Sequence, residues 1–228
     1  MTEPEGEYVE PSSPGRYRPG RLLTLVDGVF AISMTLLALE VRIPDEVPDT
    51  IAGFNGAVGS FLLQFGVFVG AFLITSRFWL LNHRQMGRLR VVDRGLAVRT
   101  IVFLAGITSL PVATGVLFRF GSAPGAVSFG AAVLAATGAL SARVWWYASS
   151  PQRDLMDVGA DERRLTMIRN MLVVVTFLTA IPVAYLLPPG KAGYATWIWF
   201  MLIVVDRVTA WLHRLITRIT RRSPARQA

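Results

Sequence analysis

Six long apolar segments run through this chain, and they constrain its fold more than any other feature. A helix needs ~20 predominantly apolar residues to cross the ~30 Å hydrocarbon core of a bilayer. These segments are continuously apolar, whereas a membrane barrel strand has ~10 residues of alternating character. The sequence therefore predicts an all-α integral membrane bundle of six transmembrane helices. The predicted spans are residues 22–41, 58–81, 96–118, 126–147, 165–187 and 194–211.

The composition and charge of the chain fit this class of protein. Of its 228 residues 53% are hydrophobic and 17% charged, whereas a soluble domain has roughly 25% charged residues. The formal net charge of +8 comes mainly from arginines beside apolar runs, where they meet anionic lipid headgroups. The sequence contains no aromatic-interleaved basic face and no DNA-reading motif. We therefore expect membrane lipids as partners, with anionic headgroups at the cytoplasmic face, and no nucleic acid.

The basic residues also predict an orientation. Of the 23 lysines and arginines, all but Arg42, Arg119 and Lys191 fall on one side of the predicted membrane. Cytoplasmic loops carry the excess of Lys and Arg. Both termini are therefore expected in the cytoplasm, which agrees with an even number of spans.

The two ends of the chain differ from its apolar body. Residues 1–20 are rich in glutamate and proline and lack the basic start and apolar centre of a cleaved signal peptide. We expect them to form a disordered cytoplasmic tail. Residues 21–216 form the predicted six-helix membrane domain, and residues 217–228 a basic cytoplasmic tail.

Enzyme and metal chemistry are not expected. The chain has no cysteine and two histidines, which excludes disulfides and thiolate metal sites. It carries no phosphate-binding loop and no serine–histidine–aspartate arrangement. The sequence thus predicts no catalytic residues, no metal site and no cofactor.

Polar side chains in a membrane helix are costly and therefore informative, and the first span carries several. Arg21 and Glu40 lie at its two ends and can reach headgroup depth, with Glu40 at the outer mouth. Asp27 lies about two turns inside. Arg21 and Asp27 are six residues apart and not an i, i+4 pair, so we expect any link between them to run through other spans.

One face of the first span combines small and apolar side chains with a single hydroxyl. At 100° per residue these side chains share one stripe: Gly28, Ile32, Thr35, Leu36 and Leu39. Asp27 lies on the opposite side, towards neighbouring helices. The stripe fits a pore-lining face, and periodicity alone fits an ordinary packing face as well.

The motif of this span points to a family. Arg21, Asp27, residues 28–32 and 35–37, and Leu39 with Glu40 match a pattern of arginine, three variable residues, Phe-Ser-Asp, Gly-Val-Phe-Ala-Ile and a Thr-Leu-Leu run ending in Leu-Glu. The span thereby resembles the transmembrane protein 175 family of potassium-permeable channels of lysosomes and bacteria. Leu25 and Val26 depart from it, since they replace the family's Phe and Ser.

Two further features resemble the family more weakly. Trp79 with His83 ends the second span, and Leu110-Pro111 with Thr114 lies in the third. The resemblance covers the first three spans. It implies a network of Arg21 and Asp27 that ties the first helix to the second and third. Because Val26 replaces the serine, we expect His83, with Asn82, to complete that network, although His83 also fits a headgroup-level residue without a special role.

The resemblance implies a homotetramer in which four first helices surround a central pore for K⁺, in a plasma (cell inner) membrane. Ile32 would form the main constriction, with layers at Leu36 and Leu39 and a hydroxyl oxygen from Thr35. This stretch would be ~10 Å long at 1.5 Å per residue. An apolar ring of this kind can gate by dewetting.

Two other functional classes stay open at this point. A proton-coupled secondary transporter would use Asp27 and Asp206 as titrating groups, and would be favoured by inverted repeats and broken helices, which are not evident. A non-conducting membrane scaffold or sensor would use its cytoplasmic arginines to bind lipid or protein.

Overall fold

The computed structural model describes residues 16–41 and 50–200. Within them, five helices are long and apolar enough to cross a membrane, so the predicted helical membrane fold is confirmed in its class. The elements in chain order are strand β1 (Arg16–Tyr17), helix α1 (Gly20–Leu39), α2 (Ile51–Met86), strand β2 (Val92–Asp93), α3 (Arg94–Phe120), α4 (Pro124–Ala148), a 3-10 turn (Pro151–Arg153), α5 (Ala160–Leu186) and a terminal 3-10 helix (Ala192–Phe200).

The first five predicted spans coincide with α1 to α5, and α2 is the one whose length differs most. It has 36 residues where the sequence predicted a span over 58–81. The helix begins earlier because the Thr50 side chain accepts a hydrogen bond from the Gly53 N–H at 3.1 Å. At 1.5 Å per residue α2 is ~54 Å long, which exceeds the ~30 Å hydrocarbon core.

The sixth predicted span is described only at its start. Residues Ala192–Phe200 form a 3-10 helix rather than the beginning of an α-helix. The rest of that span, the predicted tail at 217–228 and Asp206 lie outside the described residues.

Helix α4 packs between α3 and α5, and small residues allow the close approach. A Cβ at Gly106 of α3 would lie 2.8 Å from Thr137 Oγ1 of α4, and one at Gly138 of α4 would lie 3.2 Å from Val174 of α5. Large side chains such as Phe177 are fully buried beside them.

The arginine-rich connections meet at one end of the bundle. β1 pairs antiparallel with β2, with Arg16 opposite Asp93. Arg16 Nη2 also donates to the Arg153 carbonyl at 3.0 Å. Strand β1 thus contacts both the α2–α3 and the α4–α5 connection, which supports the grouping of these segments on one side. The described part of the predicted disordered tail, residues 16–20, is instead ordered, because it pairs with β2 and begins α1.

Tyr147 contacts several charged side chains at this end of the bundle. The Tyr147 ring lies between the guanidinium groups of Arg99 and Arg153, 3.9 and 3.8 Å from its centroid. Its hydroxyl donates to Asp93 Oδ2 at 2.9 Å. Asp93 Oδ1 in turn accepts the Leu96 N–H at 2.6 Å and caps α3. This end of the bundle is therefore held by a connected set of charged and polar groups.

The α3–α4 turn and the terminal 3-10 helix meet at the opposite end. A Cβ at Gly193 would lie 3.0 Å from the Gly121 carbonyl oxygen. Arg119, near the end of α3, and Lys191, just before the 3-10 helix, also lie at this end.

Candidate pore face

Helix α1 has the length of one membrane crossing. Its 20 residues span ~30 Å at 1.5 Å per residue, equal to the hydrocarbon thickness. It begins after Pro19 and ends before its C-cap Glu40, whose backbone N–H donates to the carbonyls of Leu37 and Ala38.

One face of α1 packs against the bundle. Its buried residues are Val26, Phe30, Ser33 and Leu37. The Phe30 ring lies 6.1 Å from the Phe103 ring of α3, centroid to centroid. Val26 is therefore a core residue here, with 2% exposure, and its apolar side chain suits that position.

The predicted stripe lies on the opposite, uncovered face. Ile32 is 60% exposed, Leu36 41% and Leu39 64%, and Gly28 and Thr35 are exposed as well. Within the described residues the stripe is therefore largely exposed rather than buried against the bundle.

Thr35 is positioned to offer an oxygen acceptor. Its hydroxyl donates to the Ile32 carbonyl at 2.8 Å, which occupies its proton. The lone pairs of the hydroxyl oxygen then remain for water or a cation.

Asp27 contacts α2. Its Oδ1 accepts a hydrogen bond of 2.9 Å from Trp79 Nε1. The Trp79 ring lies 5.1 Å from the His83 ring, tilted by 31°. Asp27 and His83 are thus joined through Trp79, which sequence reasoning had noted only as a motif residue. The one signal for it was its spacing of four residues before His83, which places both on one face of α2.

Arg21 and Asn82, the other predicted members of the network, are not joined to Asp27 in the described residues. Arg21 is exposed and, among the described residues, makes no hydrogen bond or ion pair. Asn82 is buried, with 2% exposure, and its Nδ2 has no hydrogen-bond partner within residues 16–41 and 50–200, so it does not complete the link to Asp27.

Glu40, predicted at the outer mouth, lies at the end of α1 against α3. Its carboxylate occupies the space where a Cβ on Gly115 would stand. A glycine at that position of α3 therefore makes room for the Glu40 side chain.

The described part of the chain contains no group of three or more His, Asp or Glu side chains placed to hold a metal ion.

The five long apolar helices define a multi-pass helical membrane protein. The family model for the endosomal/lysosomal potassium channel TMEM175 matches residues 21–111. A potassium channel of Streptomyces collinus is 27% identical over 176 residues, which cover 75% of this chain and 84% of that protein. Residues 21–111 of this chain are therefore similar to the TMEM175 family.

Two further proteins are similar to this chain. The rat endosomal/lysosomal proton channel TMEM175 is 31% identical over 121 residues, 49% of this chain and 24% of that protein. The crystal structure of a lysosomal potassium-selective channel TMEM175 homolog from Chamaesiphon minutus superposes with a TM-score of 0.70 at 21% identity. That superposition covers 83% of this chain and 96% of the other, and it shows the shared fold.

Proposed function

We propose that the chain is a subunit of a potassium-permeable cation channel, and that four copies arrange their α1 helices around a central pore. The observation that carries the proposal is the uncovered stripe of α1, which combines Ile32, Leu36 and Leu39 with the Thr35 hydroxyl on the helix that bears the family motif. One such helix cannot enclose a path, so a pore needs several copies. The potassium channel from Streptomyces collinus supports the choice of ion.

The proposed constriction runs from Ile32 to Leu39 over ~10 Å. A cation that enters an apolar ring loses hydration and needs dipoles or retained water in its place. The Thr35 oxygens are the polar groups of this stretch. We therefore expect slower and less selective conduction than through a carbonyl-lined filter, and closure by dewetting of the apolar ring.

The remaining five spans would then serve as the scaffold. In the orientation that the arginines predict, both termini face the cytoplasm and Glu40 lies near the outer mouth, in a plasma membrane. The clustering of the arginine-rich connections at one end of the bundle supports this orientation.

Proton permeation is a second candidate. It is favoured by the rat relative, which is named a proton channel, and by the hydrogen bond that joins Asp27 to Trp79 next to His83. In this case Asp27 would exchange protons, either in a channel or in a coupled transporter.

Measurements of ion flux into liposomes that contain the purified protein distinguish these functions. A K⁺ flux driven by membrane potential alone, at equal pH on both sides, supports the channel. A flux that requires a proton gradient supports the coupled transporter, and a proton flux without K⁺ supports proton permeation. No flux, in a sample whose tetramer is verified by mass, would support the non-conducting scaffold and overturn the proposal.

A further inference from the structure

A large apolar cleft lies between α2, α3, α4 and the terminal 3-10 helix, and α1 contributes none of its lining. Its volume is about 720 Å³, within the range of small-molecule sites, ~300–1,000 Å³. Along α2 its wall extends from Leu62 to Thr75, which is ~20 Å at 1.5 Å per residue. That depth is comparable with a single leaflet, half of the ~30 Å hydrocarbon core.

The wall formed by α2 is smooth and open. It includes Gly66 and Gly70, and a Cβ added at Gly66 would meet no atom within 4 Å. Leu110 of α3 and Leu134 of α4 contribute apolar surface on the other sides. Such a space suits a long, flexible apolar chain rather than a polar solute.

Two basic residues also line the cleft. Arg119 and Lys191 belong to its lining, both are exposed, and neither has a carboxylate partner among the described residues. Of the 23 basic residues in the chain, twenty are predicted on the cytoplasmic side of the membrane. Arg119 and Lys191 are two of the three predicted on the opposite side. An anionic group is the complement of this pair of charges.

A buried donor adds a second polar feature. Trp199 lines the cleft, is 6% exposed, and its Nε1–H has no hydrogen-bond partner in the described part of the chain. A buried donor without an acceptor is costly. An ester or phosphate oxygen of a bound molecule would satisfy it.

We infer that this cleft binds one anionic phospholipid, with an acyl chain along α2, the phosphate at Arg119 and Lys191, and a headgroup or ester oxygen near Trp199. The lipid comes from the leaflet at the Arg119 end, which is the outer leaflet in the predicted orientation. The site does not use α1, so it stands independently of whether the protein conducts ions.

Native mass spectrometry of the delipidated full-length protein, titrated with phosphatidylglycerol or phosphatidylcholine, tests the headgroup. We expect the parent to bind phosphatidylglycerol more tightly than phosphatidylcholine. The double variant Arg119→Gln with Lys191→Gln should bind phosphatidylglycerol at least about ten-fold more weakly than the parent. Arg164→Gln, which removes an exposed charge at the other end of the bundle, is the matched control and should bind like the parent. Equal binding of both lipids by the parent would overturn the inference.

A larger side chain in the cleft tests whether an acyl chain occupies it. Gly66→Leu should reduce the binding of both lipids, whereas Gly56→Leu, on the same helix outside the cleft and also with no atom within 4 Å of an added Cβ, should leave it unchanged. Inorganic phosphate at millimolar concentration should not displace the lipid, since it lacks an apolar chain. If Gly66→Leu changes tetramer stability while lipid binding stays constant, a second copy or the chain beyond residue 200 occupies the cleft, and the inference is wrong.

Discussion

The indole Nε1 of Trp79 donates to Oδ1 of Asp27 over 2.9 Å, and this bond joins α2 to α1. Ser76 and Met34 form a second contact between the same helices, with 3.9 Å between Oγ and Sδ. Since Phe30 holds α1 against α3, the helix is fixed from two directions while its predicted stripe stays uncovered. The orientation of the candidate pore face therefore depends on these contacts.

Removing the donor from this bond should weaken the attachment of α1. Interhelical hydrogen bonds in membranes contribute ~0.6 kcal/mol on average and ~1.7 at most, so we expect Trp79→Phe to lower stability by about 1 kcal/mol. Asp27→Ala should reduce folded tetramer to a similar degree. Because both changes break one bond, the double variant should lose little more than either alone.

Thermal unfolding in detergent, with tetramer quantified by size-exclusion chromatography, measures this loss. Trp146→Phe is the matched control, since Trp146 is 55% exposed and its N–H makes no hydrogen bond to the described residues. Additive losses in the double variant would contradict a direct bond between Asp27 and Trp79.

Hydrating the proposed constriction should increase ion leak. Ile32→Asn places an amide in the apolar ring, which lowers the cost of cation dehydration. We expect higher flux and weaker discrimination between K⁺ and Na⁺ in liposomes. Ile32→Val keeps the ring apolar and should retain the selectivity of the parent. Parent-like conduction by the asparagine variant would show that Ile32 does not line the pore.

The contact between α3 and Tyr147 requires a glycine at position 95. A Cβ at Gly95 would overlap the Tyr147 hydroxyl, and the ring cannot retreat because Arg99 and Arg153 lie against it. We expect Gly95→Ala to destabilise the fold by ~1–3 kcal/mol, measured by thermal unfolding. Gly125→Ala, where a Cβ meets nothing within 4 Å, should have no such effect. Equal melting temperatures for the two variants would disagree with this packing.

The cap of α3 should matter more than a nearby surface ion pair. Asp93→Ala removes the bond to the Leu96 N–H and the acceptor of Tyr147, so we expect a loss of ~1–2 kcal/mol. Glu162→Gln removes the ion pair with Arg88, whose side chains are both 46% exposed, and should change stability by less than ~1 kcal/mol. Denaturant unfolding of both variants compares them, and the reverse order would contradict the assignment of Asp93 as the cap.

The resemblance of the first span and the positions of its residues around the helix were predictable from local sequence, whereas the partner of Asp27 was not. Periodicity placed Ile32 and Leu39 on one side of α1 and Asp27 on the other, because helix geometry fixes those angles. The choice of Trp79 rather than Asn82 as the partner depends on how α2 is rotated against α1, which no local pattern encodes. The network role of Arg21 stays a prediction.

The sequence by itself determined the membrane class, five of the spans and the motif of the first span. The length of an apolar segment and the charges beside it can be read from neighbouring residues, and the thickness and interfaces of the bilayer fix what they mean. Only the tertiary structure decided that Val26 is buried, that Ile32 is uncovered, and that Arg119, Lys191 and Trp199 line one cleft. These features depend on which helices become neighbours and at what rotation, and packing between distant segments sets both.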